Sequence, residues 1–391
     1  MNSRQRIRTA LAHQEPDRVP LDLGATVLTG IHVTAYERLR DHLGMPHRGD
    51  IQTLDVLQQL AVVDEDMRQR LKVDVRDIAP RSSATFQVEI RDGGDYTYFY
   101  DEWGIGWRRP KIGGLYYDMF DNPLRAAQSF ADIDAHPWPD PVDPARFAGL
   151  GERAKNAAEL EGQGVVLGGL CGGILEMAAW LRGFESYFID LAVNQRLLGY
   201  LMDKVLELKL AYWEKALAEV GVYADVVQEA DDFAGQLGML ISPATYRALV
   251  KPRHNKLFQV LHARSQASIF FHSCGAIRPV IPDLIDIGLD ILNPVQVSAA
   301  GMDSAALKRD FGRSLTFWGG GVDTQRVLGN GTPQQVREDV KRRIEDLAPG
   351  GGFVFATVHN IQPNVPPENI LAMWETLQQY GAYPISAPER A

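Results

Sequence analysis

Ser268-Ile269-Phe270-Phe271-His272-Ser273-Cys274-Gly275 is an apolar β-type run that stops abruptly in residues able to do chemistry. His272 and Cys274 are two apart at a strand end, so both side chains leave the same side of the backbone. An imidazole and a soft thiolate converging in this way suit zinc. A buried histidine beside an inert structural cysteine fits the same triplet. What separates the two readings is where this strand ends in the fold, and what lies downstream at His359.

Working outward, short apolar runs alternate with helical segments. Leu21–Gly24 reads as strand one and residues 73–78 as strand two, ending in Ala79-Pro80-Arg81. Residues 164–169 form strand three, ending at Leu170-Cys171-Gly172-Gly173, and residues 224–227 strand four, ending at Gln228-Glu229-Ala230-Asp231-Asp232. The opening octapeptide is strand five. Residues 290–294, 315–321 and 352–356 are strands six, seven and eight, the last ending at Thr357-Val358-His359. Helices are expected over 3–13, 32–44, 52–71, 175–219, 276–287, 333–347 and 367–380. Ser242-Pro243 is an N-cap followed by proline at the first helical position. Eight strands each followed by helix predict an α/β fold, a (β/α)8 TIM barrel with an N-terminal helical segment. An open doubly wound sheet would carry a glycine-rich fingerprint after strand one, and Gly24-Ala25-Thr26 supplies none.

Residues 84–120 change character. Thr85–Ile90 alternates, Asp92-Gly93-Gly94 turns, and Tyr96–Tyr100 follows, which is a hairpin by period and turn chemistry. It predicts an antiparallel β insertion within a single barrel domain spanning 1–391. Its aromatics either wall a pocket or merely bury one another. Residues 134–146 are proline-rich and read as a stiff connector.

Composition narrows the function. The 391 residues are 45% hydrophobic and 23% charged, as in ordinary globular proteins. A net charge of −10 argues against nucleic acid or an anionic membrane as partner. No apolar run is long enough to span a bilayer and the N-terminus shows no apolar signal core. Two cysteines make no disulfide framework, so a reducing, cytoplasmic compartment is expected.

In such barrels the chemistry lies at the C-terminal ends of the strands. Those ends carry Asp22, Arg81, Cys171, Glu229, Asp231, Asp232, His272, Cys274, Asn293, Gln296, Asp323 and His359. A metal site of His272, Cys274 and His359 is geometrically allowed and leaves a fourth position open, as catalytic zinc requires. One thiolate and two neutral imidazoles leave the ion a formal charge of about +1. Glu229 and Cys171 are reserve ligands. Glu229, Asp231 and Asp232 are the candidate catalytic groups, to orient substrate or shuttle a proton. Asp22, Cys171, Asn293, Gln296 and Asp323 are candidate substrate contacts. Several have a plainer reading: His359 as a metal-free acid, Asp231-Asp232 as a helix cap, Asn293-Pro294 and Gln296 as loop geometry.

Several segments resemble one family. Glu15-Pro16-Asp17-Arg18-Val19-Pro20, Ser242-Pro243 with Lys251-Pro252, His272-Ser273-Cys274-Gly275 and Pro363-Asn364-Val365-Pro366-Pro367-Glu368-Asn369 are similar to segments of the uroporphyrinogen decarboxylase superfamily. Within it the likeness is to the zinc-dependent, cobalamin-linked methyltransferases. The third zinc ligand in that branch is usually a cysteine before Gly-Ile, whereas the matching place here reads His359-Asn360-Ile361. The resemblance implies a zinc enzyme that moves methyl between a small O- or S-linked substrate and a corrinoid carried by a partner protein. The histidine in place of cysteine suits a substrate coordinating through oxygen, such as a methyl ether, and hence O-demethylation. The alternatives are a metal-free decarboxylase of the uroporphyrinogen type, whose arginine-rich opening loop is missing here, and a non-catalytic barrel with a structural metal.

Overall fold

In the computed structural model the described residues are 1–46 and 49–386, so residues 47–48 and 387–391 of the expected 1–391 span lie outside them. Seven strands, Val75–Ile78, Gly164–Leu167, Val226–Ala230, Ser268–His272, Ile291–Asn293, Thr316–Trp318 and Phe353–Val354, form one curled sheet in chain order. Every neighbouring pair is parallel. They are strands two to eight. Strand one is far shorter than the sequence suggests. Leu21 bridges Phe355 in parallel, Asp22 N–H donates to Phe355 O (2.9 Å), and Asp74 N–H donates to Leu21 O (2.8 Å). Strand one thus joins strand eight to the segment entering strand two, and the ring closes as a (β/α)8 barrel.

The sheet is buried on both faces, which is why its strands read as continuous apolar runs. Phe270 and His272 of strand five face the barrel interior, where Phe270 meets Trp318 edge-on (5.6 Å between ring centroids). Ile269 and Phe271 face the helices, with Phe271 against Phe258 and His254. Helices form where local signals ask for them. Ser3–Leu11 starts with an Asn2/Gln5 capping box, Pro333–Leu347 with Thr332/Gln335, and Pro243–Thr245 with the Ser242 cap. No helix among the described residues is long and apolar enough to cross a membrane.

Two segments depart from expectation. Residues 52–71 are not one helix: Thr53–Asp55 pairs with Leu60–Ala61, and the helix is only Glu65–Leu71. Asp55 stops it, because its carboxylate accepts from Leu57 N–H (3.0 Å) and turns the chain, and Gln59 follows with φ +54°. The leucine spacing that mimics a helix face instead points Leu54 and Leu57 at the barrel mouth. The antiparallel sheet has four strands, Arg91–Asp92, Tyr96–Tyr100, Gly106–Pro110 and Asp118–Asp121. Thr85–Ile90 stays outside it despite its alternation. This sheet leans on the 53–61 hairpin, with Tyr117 N–H donating to Leu57 O (3.0 Å), and Tyr116 OH reaches Gln362.

Asp74 holds strand one in place. It is fully buried, and its carboxylate takes Arg6 Nη1 (2.6 Å), Arg18 Nη1 (2.7 Å) and the backbone N–H of Leu21 (2.8 Å). Removing one partner of such a cluster strands buried charge, so Asp74→Ala is expected to cost about 3–5 kcal/mol in denaturant unfolding. A loss under about 1 kcal/mol would show that backbone pairing alone secures the first strand.

Candidate metal centre

The parallel register decides the site. His272 and Asn293 are Cα partners across strands five and six, and both face inward. Asn293 Nδ2 donates to Trp318 O (2.8 Å), which turns its Oδ1 toward His272 Nδ1 at 2.5 Å. The proton therefore sits on His272 Nδ1, and Nε2 presents a lone pair toward Cys274 Sγ, 3.3 Å away. His359, past strand eight, completes the group: its ring centroid lies 5.2 Å from that of His272. One potential ligand atom from each of His272, Cys274 and His359 falls within 4.8 Å of the other two.

Burial keeps this cluster uncharged in the absence of an ion. Desolvation pulls His272 down to about 4, with the Asn293 bond opposing it, and pulls His359 down to about 3, helped by His272. Desolvation also pushes the Cys274 thiol up, reinforced by Asp232 and Glu176. Two neutral imidazoles and a thiol that must give up its proton form a donor set that fits zinc. His359 is the less prepared ligand. Its Nδ1 accepts from Asn360 N–H (2.8 Å), so its neutral ring carries the proton on Nε2. Ligation through either nitrogen gives up that arrangement. His359 also has φ +67°, a conformation that the strand-end sequence does not announce.

A cavity of about 480 Å³ opens over His272 and His359. Asp232 and Cys171 line it as well. Asp232 accepts from Cys274 N–H (2.7 Å) and stands 3.9 Å from His272 Nε2. Cys171, its thiol pushed up to about 12 by burial, is 3.8 Å from Lys209 Nζ.

The other candidates lie elsewhere, and alternation explains most of it. Strand four runs on to Ala230, so Gln228 and Ala230 face the cavity and Glu229 faces the helices. There Glu229 is buried, ion-paired with Lys209 (2.8 Å) and bonded by Trp213 Nε1–H, and it does not line the cavity. Asp231 is a helix cap, but for the helix after strand three. It accepts from Leu175 N–H and Glu176 N–H (both 2.8 Å) and lies 2.9 Å from His254 Nε2. Asp22 accepts from Trp318 Nε1–H (2.8 Å) and Ala25 N–H (3.0 Å) inside the barrel, away from the cavity. Gln296 accepts from Gly275 N–H (2.6 Å), shaping the loop after the triplet. Asp323 caps Thr324–Leu328 beside a separate arginine-lined cleft. Asn293 acts behind His272 rather than on a substrate, and Arg81 is exposed.

Two carboxyls that the strand-end reading passed over do line the cavity. Asp77, on strand two, is pushed up to about 7 by burial, and Glu176 to about 8 by burial together with Asp232 and Asp231. The parity of strand two, with Asp77 two before Ala79, carries a signal for the first. For the second it is the Gly173-x-x-Glu176 spacing, which returns the carboxyl to Gly173 N–H (3.1 Å). Trp107 of the antiparallel sheet packs edge-on against Trp180 (5.5 Å), and with Tyr116 they wall the cavity. The aromatics of that sheet therefore do more than bury one another.

Asn293→Ala removes the acceptor that sets the His272 tautomer, and zinc affinity measured by chelator competition should fall about 10–100-fold with the fold intact. Because the thiol must ionise on binding, affinity should rise as pH rises, by up to about tenfold per unit between pH 5 and 8. A flat profile would exclude Cys274 as a ligand.

A family model described as Uroporphyrinogen decarboxylase (URO-D) matches residues 119–380. The uroporphyrinogen decarboxylase of Alkalilimnicola ehrlichii is 26% identical over 275 residues, covering 67% of this chain and 68% of its own. That of Pseudomonas fluorescens is 24% identical over 277 residues, covering 69% and 74%. That of a Thermus thermophilus strain reaches 30% over 190 residues, 46% and 48% of the two chains. Among solved structures, a methyltransferase from Methanosarcina mazei superposes with a TM-score of 0.64 at 19% identity, covering 97% of this chain and 99% of its own, which establishes a shared fold. With two thirds of its length matched, the chain belongs to the uroporphyrinogen decarboxylase family.

Proposed function

We propose that this protein is a zinc-dependent methyltransferase, moving a methyl group between a small O- or S-linked substrate and a corrinoid carried by a partner protein. The observation that carries the reading is the convergence of His272, Cys274 and His359, with both histidines lining an open cavity. The fold shared with a methyltransferase from Methanosarcina mazei supports it. Zinc held by these three residues would supply Lewis acidity toward the substrate heteroatom. Asn293 keeps the His272 lone pair aimed at the site. Asp232, with one oxygen on Cys274 N–H, turns the other toward the cavity, and with Asp77 and Glu176 it can hold or release a proton at the substrate. Trp107, Trp180 and Tyr116 keep water from the walls. The four-stranded sheet is then an insertion whose work is to build one side of the pocket.

The names of the curated relatives support a second reading, metal-free decarboxylation of a tetrapyrrole or another carboxylate. No arginine or lysine among the described residues lines the cavity to grip such a substrate.

Purified protein should hold about one zinc per chain, and Cys274→Ala should lose it. Supplied with cob(I)alamin and methyl ethers or thioethers, the zinc-loaded protein should form methylcobalamin and the variant should not. Turnover of uroporphyrinogen by metal-free protein would overturn the proposal in favour of the second reading.

A further inference from the structure

The cavity has an unusual balance of polar groups. Asp55, Asp77, Glu176 and Asp232 line it, and among the described residues no cationic side chain does. Asp55 is spent on Leu57 N–H and the Gln58 side chain. The other three are not. Asp77 accepts no hydrogen bond among the described residues, and Glu176 and Asp232 each use a single oxygen, on Gly173 N–H and Cys274 N–H. Gln228 also faces the space with its amide free. What remains open to a ligand is therefore chiefly acceptor oxygen. The rest of the lining is apolar: Trp107, Trp180, Leu28, Leu54, Leu57 and Leu170. Lys209, a buried cation beside Cys171, is committed to Glu229 (2.8 Å) and Gly172 O (2.9 Å) behind the wall.

We infer that this cavity selects a substrate without negative charge, one that lays an apolar ring against the tryptophan and leucine walls and offers hydroxyl or ammonium hydrogens to Asp77, Glu176 and Gln228. An anionic group would be desolvated beside three carboxyls with no cationic side chain among the described lining residues to pair with it. The upward displacement of Asp77 by burial, and of Glu176 by burial together with Asp232 and Asp231, is in keeping with a wall that tolerates further negative charge poorly. The formal charge of about +1 left on an ion by one thiolate does not reverse the balance, because Asp232 stands beside the ligands. Neutral alcohols and protonated amines share the chemistry required. The aromatic walls suit either, since a ring stacks there and a cation is attracted to the face of an indole. The inference rests on the cavity being the substrate site of the proposed transferase, but it concerns binding and not transfer.

Three ligands with one ring and one methyl ether test it: para-methoxybenzyl alcohol, para-methoxybenzylamine and para-methoxybenzoate. Calorimetric titration of the zinc-loaded protein is expected to show the alcohol, the amine or both binding at least about tenfold more tightly than the benzoate. A preference for the amine indicates ionised carboxylates at the wall, and a preference for the alcohol indicates protonated ones; both support the inference. In a D77N/E176Q variant the benzoate should gain affinity until it lies within about threefold of the alcohol. Benzoate binding as tight as either partner in the unaltered protein overturns the inference, as does no binding by any of the three. Charge selection without methyl transfer would leave this inference standing and remove the transferase reading, so the two fail separately.

Discussion

A parallel sheet closed into a ring has no free edge, and here that closure hangs on a single residue. Among the described residues Leu21 is strand one's bridge to strand eight, made by the flanking Asp22 N–H and Pro20 O to Phe355, while its own N–H and C=O bond Asp74. Backbone pairing this short could not orient a barrel by itself. The buried Asp74 carboxylate supplies the rest, drawing Arg6, Arg18 and the Leu21 amide to one point. Strands five and eight, which are not neighbours, are joined through strands six and seven, and in the closed ring their ends share one mouth.

Buried charge in this molecule falls into two groups with opposite treatment. Asp74, Asp225, Glu229 and Asp231 are saturated by arginines, a lysine, a histidine or backbone amides. They hold helices and strands to one another, and their full complement of partners leaves nothing for a ligand. Asp77, Glu176 and Asp232 sit at the cavity with oxygens to spare. A carboxyl that is buried, underbonded and facing a cavity is energetically costly unless the site uses it. Hydrogen-bond accounting, rather than position at a strand end, separates these two groups. It also accounts for Asp231 and Asp232, adjacent in sequence yet opposite in role: consecutive residues at a strand end leave on opposite sides.

Much of the fold was legible because parallel strands buried on both faces must be continuously apolar, and because glycine, proline and capping residues punctuate them. Strand five, strand six and the helix Pro333–Leu347 lie where these signals put them. The hairpin at 53–61 was not legible, since leucines three apart serve a helix face and a cavity rim equally well and a single Asx turn at Asp55 decides between them. At the site, the triplet and His359 were visible as residue types able to share an ion. Glu229, Asp22 and Gln296 were equally visible as polar strand ends, yet their side chains serve the core and the loops.

The sequence by itself determined the alternation of strand and helix, the ring of polar strand ends and the pairing of His272 with Cys274, because each follows from a local period or a spacing of two. Tertiary structure alone decided that His359 stands beside them, that Asn293 sets the His272 tautomer, and that Asp77 and Glu176 face a cavity with no cationic side chain among the described residues. The reason is physical. Which of two faces a strand-end side chain takes, and which neighbour saturates it, depends on register across the sheet and on helices distant in sequence, and neither is written in the residues on either side.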